Sequence, residues 1–268
     1  MNITDLILSC KLPPKEAMAF FQRKGMLLSW NWQDIFQEEH ALSFTVAKVA
    51  RMDILQDIRD SINEVQAKGI SFREWAKNLE PTLRAKGWWG KVDQVNPKSG
   101  AMEKVQLGSP YRLRTIYDTN LQQAYNAGRW KTQAENTASR PYVQRIEIDN
   151  ERTCGPCREI NGKIVPFDDP LHQQFGGMLH YRCHGFWRAL TKAEVEKSGA
   201  GVSTGEGNIT QEQVPVSKDS KDTWPVSVYT DPKTGKQIRT QPGFSYNPGK
   251  AAWQPDLKKY DPEIRKLF

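Results

Sequence analysis

The chain has 268 residues, 38% of them hydrophobic, with 38 Lys and Arg against 31 Asp and Glu, a net charge of +7 and a pI near 9.1. No run approaches the roughly 18 consecutive apolar residues of a membrane span, and mean hydropathy is −0.69, so the composition reads as a soluble protein of one or two domains. The basic balance permits contact with a polyanion without demanding it. Near the N-terminus the Leu6-Ile7-Leu8 run is short and carries Asp5 with no Lys or Arg before Lys11, so it does not read as a secretory signal.

Pro13-Pro14 breaks the chain before a predicted helix over Lys15 to Ser29. Trp30-Asn31-Trp32 reads as a loop, and a second helix is predicted over Asp34 to Lys68, stopped by Gly69. Ser71-Phe72-Arg73-Glu74 is a capping box opening a helix that Pro81 is expected to divide. Trp88 to Gly108 reads as a loop. Ser109-Pro110 starts a long helix reaching about Glu135, with Leu113, Ile116, Tyr117, Leu121, Ala124 and Gly128 as its buried stripe. Its other faces carry Arg112, Arg114, Arg129 and Lys131, a candidate nucleic-acid surface whose plainer reading is a solvated face.

From Tyr142 the pattern alternates like a strand to Ile148. Asn161-Gly162 predicts a hairpin with arms over Arg158 to Ile160 and Lys163 to Phe167, and Phe186 to Leu190 predicts another short strand. Residues 191–241 read as a polar linker, most flexible over Gly199 to Thr223. Residues 242–268 read as a proline- and aromatic-rich arm that docks on its own body or on a neighbour. Residues 1–138 would then be a helical body and 139–190 a small β-containing subdomain, giving an α+β fold.

Three of the four cysteines and three of the four histidines crowd into Cys154 to His184. Cys154-x2-Cys157 is followed after 22 residues by His180-x2-Cys183. Two ligand pairs at this spacing can close from two tight turns on one tetrahedral ion, a Cys3His zinc site in a reducing compartment. Cys-Gly-Pro-Cys is also the redox motif of thioredoxin-like proteins, but Asn161-Gly162 leaves no room for a long helix after it and no βαβ pattern surrounds it. A disulfide pair would leave one cysteine over, and a metal-free packed cluster stays open. Four protein ligands leave no place for a catalytic water, so the expected role is a structural staple. His172 and His184 are nearby extras, either a substitute ligand or a general base if the cluster instead served a metal-dependent nuclease or toxin-like domain. A free DNA-binding module built on the basic helix face is a third reading.

The sequence resembles a known family on Pro13-Pro14-Lys15-Glu16-Ala17, Glu39-His40-Ala41-Leu42-Ser43-Phe44-Thr45-Val46-Ala47, Gly87-Trp88-Trp89-Gly90, Gly108-Ser109-Pro110-Tyr111-Arg112-Leu113, Ile116-Tyr117-Asp118-Thr119-Asn120-Leu121, the two knuckles and Gly243-Phe244-Ser245-Tyr246-Asn247-Pro248-Gly249. It is similar to the minor head, or head-morphogenesis, proteins of tailed phages, of the phage Mu F type. The family pattern at the second knuckle is usually His-Pro-x-Cys-Arg; here it is His180-Tyr181-Arg182-Cys183-His184, which keeps both ligand positions and changes the residue after the cysteine. The resemblance implies a virion component and not an enzyme. It implies a place in the capsid interior or at the portal, and in the host cytoplasm during assembly. The implied partners are portal protein or major capsid protein and packaged DNA, with no membrane and no small-molecule substrate.

Overall fold

The structure is a computed structural model that describes residues 14–97, 99–151, 153–217 and 220–253. Its order begins with helix α1 (Lys15–Gln22), strands β1 (Gly25–Met26) and β2 (Ser43–Phe44), and helices α2 (Met52–Lys68) and α3 (Phe72–Ala85). It continues through the hairpin β3 (Lys91–Val95) and β4 (Met102–Gln106) to the long helix α4 (Pro110–Glu135). Strand β5 (Tyr142–Ile146), helix α5 (Gly155–Ile160), strand β6 (Ile164–Pro166), helix α6 (Pro170–Gln174) and strand β7 (Phe186–Leu190) make the middle of the chain. Helix α7 (Lys192–Ser198), strands β8 (Ile209–Pro215), β9 (Thr223–Thr230) and β10 (Gln237–Arg239) and helix α8 (Pro248–Trp253) complete it. The fold is thus mixed helix and sheet. Among the described residues no helix is long and apolar enough to cross a membrane.

Helix α4 forms where its start signals place it. Ser109 accepts the Arg112 amide and Pro110 needs no hydrogen bond at the first turn. The expected stripe is buried, and so are Asp118, Gln122, Gln123 and Asn126, because α4 is covered on most sides. Helices α1 and α8 and strand β7 all pack on it. The approach of α1 is close enough that a Cβ on Gly128 would lie 2.8 Å from the Ala17 backbone nitrogen. Gly128→Ala is therefore expected to destabilise the fold by about 1–3 kcal/mol, read by chemical denaturation. An unchanged midpoint would show that α1 does not hold this distance in solution.

Several predicted elements are corrected. The expected helix over Asp34 to Lys68 begins only at Met52. Ahead of it run two 3-10 turns (Trp32–Asp34 and Gln37–Ala41) and β2, which pairs parallel with β1. The β-branched and aromatic Phe44-Thr45-Val46 favours extended backbone, and Lys48 sits at φ 61, which no helix accommodates. Pro81 lies inside α3 and does not divide it. The loop from Trp88 holds the β3–β4 hairpin, in register from Lys91 with Gln106 to Val95 with Met102.

The hairpin predicted around Asn161-Gly162 does not form. Its first arm is the end of α5, and β6 pairs instead with β5, which also takes β7 on its other side to give an antiparallel order β6-β5-β7. The stretch read as linker is structured as well. β8, β9 and β10 form a second antiparallel sheet in the order β10-β9-β8. It is anchored to the first unit where the Ser203 amide donates to Ile164 O (2.7 Å) and Asp169 takes the Gly205 amide and the Thr204 hydroxyl. Tyr229, Ile238 and Phe244 share one apolar cluster with Val143, Cys157, Phe175 and Cys183, so packing runs straight across residue 190. The described part of the C-terminal arm docks on its own body, with Phe244 and Tyr246 buried and α8 lying on α4. Leu257, Tyr260 and Phe268 lie outside the described residues, as does Cys10.

His40 and His172 are enclosed by this packing, and burial pulls both down to about 4. The unfolded chain takes up these protons near 6.5 and the folded chain not until about 4. Stability contributed by the two neutral imidazoles is therefore lost as pH falls through that window. His172→Phe should flatten the loss between pH 6.5 and 4 in denaturation midpoints; an identical slope would contradict the buried neutral state.

Candidate metal centre

Strand β5 and two turns build the site. Val143 and Arg145 point inward from β5, followed two residues on by Glu147, all three buried. Cys154 is the N-cap residue of α5 and Cys157 lies in its first turn, so a spacing of three residues puts both sulfurs on one side. The second knuckle is a tight turn in which the Cys183 amide donates to the His180 carbonyl (3.1 Å), with Arg182 at φ 65 turning the chain. Helix α4 holds that region from behind. Gln122 donates to the Gly185 carbonyl (3.0 Å) and Gln133 to that of Trp187 (2.7 Å).

The knuckles meet. His180 Nδ1 lies 2.8 Å from its neighbour's carbonyl at Tyr181, which can only accept. Nδ1 therefore carries the proton, and the Nε2 lone pair faces Cys154 Sγ at 3.1 Å and Cys157 Sγ at 3.2 Å. Cys157 Sγ and Cys183 Sγ are 3.8 Å apart, far beyond a disulfide bond of about 2.05 Å. The separation matches two thiolates each about 2.3 Å from one tetrahedral ion. Cys154, Cys157 and His180 form one set of donor atoms within 4.8 Å of one another; Cys183 joins Cys157 and Glu147 in a second set sharing Cys157. A set of soft sulfur and imidazole donors suits zinc. One ion can be held by Cys154, Cys157 and His180, with Cys183 brought in across its 3.8 Å contact.

Arg145 and Glu147 went unread in the sequence. Arg145 is fully buried. Its Nε and Nη2 both lie 2.8 Å from Glu147 Oε1, its Nη1 donates to the carbonyls of Phe175 (3.1 Å) and Gly177 (2.9 Å), and its Nη2 reaches Cys183 Sγ at 3.4 Å. The hydrogen bond from Cys157, and then the Arg145 charge, hold Cys183 well below the usual thiol range, while the same sulfur contact pushes Cys157 up. Burial raises Glu147 to about 7 against the opposing pull of Arg145. The signal in the sequence was the strand alternation, which sets Arg145 and Glu147 on the same side as Val143.

His172 belongs to the core. Its ring lies edge-on between Phe167 and Trp187, with Nδ1 2.7 Å from the Phe167 carbonyl. His184 lines the open side of the cluster in a cleft of about 940 Å³ with Asp118 and Arg114, and its Nδ1 is buried without a hydrogen-bond partner among the described residues.

The four basic residues of α4 turn to partners within the chain. Arg112 donates to the carbonyls of Gln106, Leu107 and Ala47, and Arg114 pairs with Asp118 at 2.6 Å. Arg129 lies over the Phe186 ring at 4.2 Å, and Lys131 pairs with Glu16 at 2.8 Å. Burial lowers Arg112 and Arg129 to about 10. Arg112, Arg129 and Lys131 thus tie α4 to its neighbours, while Arg114 pairs within the helix.

Comparison with known proteins gives first a class, the phage proteins described as Phage Mu protein F like, which match residues 56–187. The chain is 36% identical over 266 residues to an Escherichia phage Mu protein named for capsid assembly, protein F, covering 98% of this chain and 59% of that protein. It is 34% identical over 234 residues to the F protein of the Mu-like prophage FluMu of Haemophilus influenzae, covering 87% of this chain and 55% of that protein. The chain is thus similar to the phage Mu protein F-like family, through the match over 56–187 and the two relatives at 36% and 34% identity. It spans less than three fifths of the length of these two relatives. No solved structure matches it.

Proposed function

We propose that the chain acts in phage head assembly as a minor capsid component, seated in the capsid interior or at the portal, and serves genome packaging or delivery through contacts with portal or major capsid protein. The observation that carries this reading is the 36% identity, along nearly the whole chain, to a protein named for capsid assembly. The Cys/His cluster supports a scaffolding role. Zinc held there would join α5 to the His180–Cys183 turn, beside the strand that carries Arg145, and supply cross-linking energy to a region of short elements. The chain's own residues prepare this. His180 presents one fixed lone pair, Arg145 balances thiolate charge, and the N-cap position of Cys154 exposes its sulfur beside Cys157.

Mass spectrometry of purified particles and empty heads tests the reading. Presence in both is expected; absence from both overturns it. A second reading, a metal-dependent nuclease, draws on the cleft where unpartnered His184 Nδ1 and Asp118 Oδ1 lie beside the cluster. Duplex cleavage by the purified zinc-loaded chain that His184→Ala abolishes would favour it over the scaffold.

A further inference from the structure

A separate cavity of about 370 Å³ lies between α4, the turns after β1 and the segment that leads into α8. This is within the range of small-ligand pockets, about 300–1,000 Å³. Trp32, Tyr181, Phe244 and Tyr246 give it aromatic walls. Trp32 and Tyr181 meet edge to face at 6.2 Å, and Tyr181 and Phe244 at 4.9 Å. No acidic side chain lines it among the described residues.

Lys24 lines the cavity with 6% of its surface exposed. Its Nζ donates to the His40 carbonyl (2.7 Å) and lies 4.6 Å over the Phe20 ring. One hydrogen bond occupies one of three ammonium protons, and no charge from a carboxylate offsets the burial, which lowers Lys24 to about 7. Gln123, 7% exposed, donates its amide to the hydroxyl of the wall residue Tyr246 (3.3 Å). A buried cation without an anion and a set of aromatic walls share the pocket.

We propose that this cavity binds a small planar aromatic anion, its carboxylate or phosphate held by Lys24 and its ring against Trp32 and Tyr181. The anion restores the charge that burial of Lys24 disfavours, and the ring replaces water against apolar walls. Charge complementarity selects this class over a neutral ring. The site shares no ligand residue with the metal centre and does not depend on the role proposed above.

The test uses the whole chain with three probes: benzoate, deoxyadenosine monophosphate and the neutral isostere benzamide. Binding is read by saturation-transfer NMR and by the rise in melting temperature that a ligand of the folded state produces. Saturable binding of benzoate or of the nucleotide is expected, at least about tenfold tighter than benzamide. Benzoate alone points to a carboxylate source, the nucleotide alone to a nucleotide source, and both to the shared chemistry. Lys24→Met, close in shape, should weaken the anion about tenfold or more, with the melting temperature of the free variant reported beside it to confirm folding. Failure of both anions to saturate at about 10 mM, equal binding of benzamide, or wild-type affinity in folded Lys24→Met would overturn the proposal.

Discussion

Cys157→Ser is expected to remove stoichiometric zinc from the purified chain and to lower its stability by on the order of 4 kcal/mol. Cys157 belongs to both donor sets, 3.2 Å from His180 Nε2 and 3.8 Å from Cys183 Sγ, so no other single ligand change disconnects the two knuckles as fully. The sulfur is also buried in the cluster that contains Val143, Phe175 and Tyr229, where a serine hydroxyl finds water in neither state of the metal. Metal content by elemental analysis and denaturation with and without chelator separate the two costs. Chelator should shift the wild-type midpoint strongly and leave the variant where it is. A wild-type chain that binds no zinc, or whose midpoint ignores chelator, ends the staple reading whatever the variant does.

Arg145→Met should cost about 3–5 kcal/mol, because it strands a buried carboxylate and three further acceptors at once. Glu147 loses both of its 2.8 Å partners, the Phe175 and Gly177 carbonyls lose their donor, and Cys183 loses its nearest cation. Adding Glu147→Gln to Arg145→Met removes the stranded charge, so the double variant is expected to recover part of the loss in a double-mutant cycle. Equal stability of the single and double variants would mean that the pair is not buried together as described.

The parts of this molecule that the sequence disclosed are those written in local chemistry. Ser109-Pro110 and Ser71 announce helix starts through one hydroxyl and one imide, and the helices begin there. The strand at Tyr142 follows from alternation, the one at Phe186 was expected as a short strand, and the two knuckles follow from spacing. What stayed hidden depends on distant partners. Asn161-Gly162 does turn the chain, with Gly162 at φ 79, but the turn joins a six-residue helix to a strand whose partner lies some twenty residues upstream. Helix α5 is too short for periodicity to reveal, although Pro156 in its first turn was a start signal of the kind used elsewhere. Strand β8 alternates among Thr, Gln and Glu, residues that a loop would also carry, and becomes a strand only because Thr223–Tyr229 offers it a ladder. Among the site residues, the spacing of the four candidate ligands was legible and their surroundings were not, since Arg145 and Glu147 look like surface charges until the strand's inward side is known.

The way α4 is clasped bears on how the chain reaches its native state. Lys131 meets Glu16 across 115 residues and Gln123 meets Tyr246 across 123. The central helix can therefore form early from local signals but cannot be enclosed until the segment past residue 240 has been synthesised. Contacts of such high sequence separation slow folding and leave apolar surface bare meanwhile. A nascent chain emerging from the ribosome would hold α4 half covered for the time needed to make more than a hundred residues, which predisposes it to capture by chaperones.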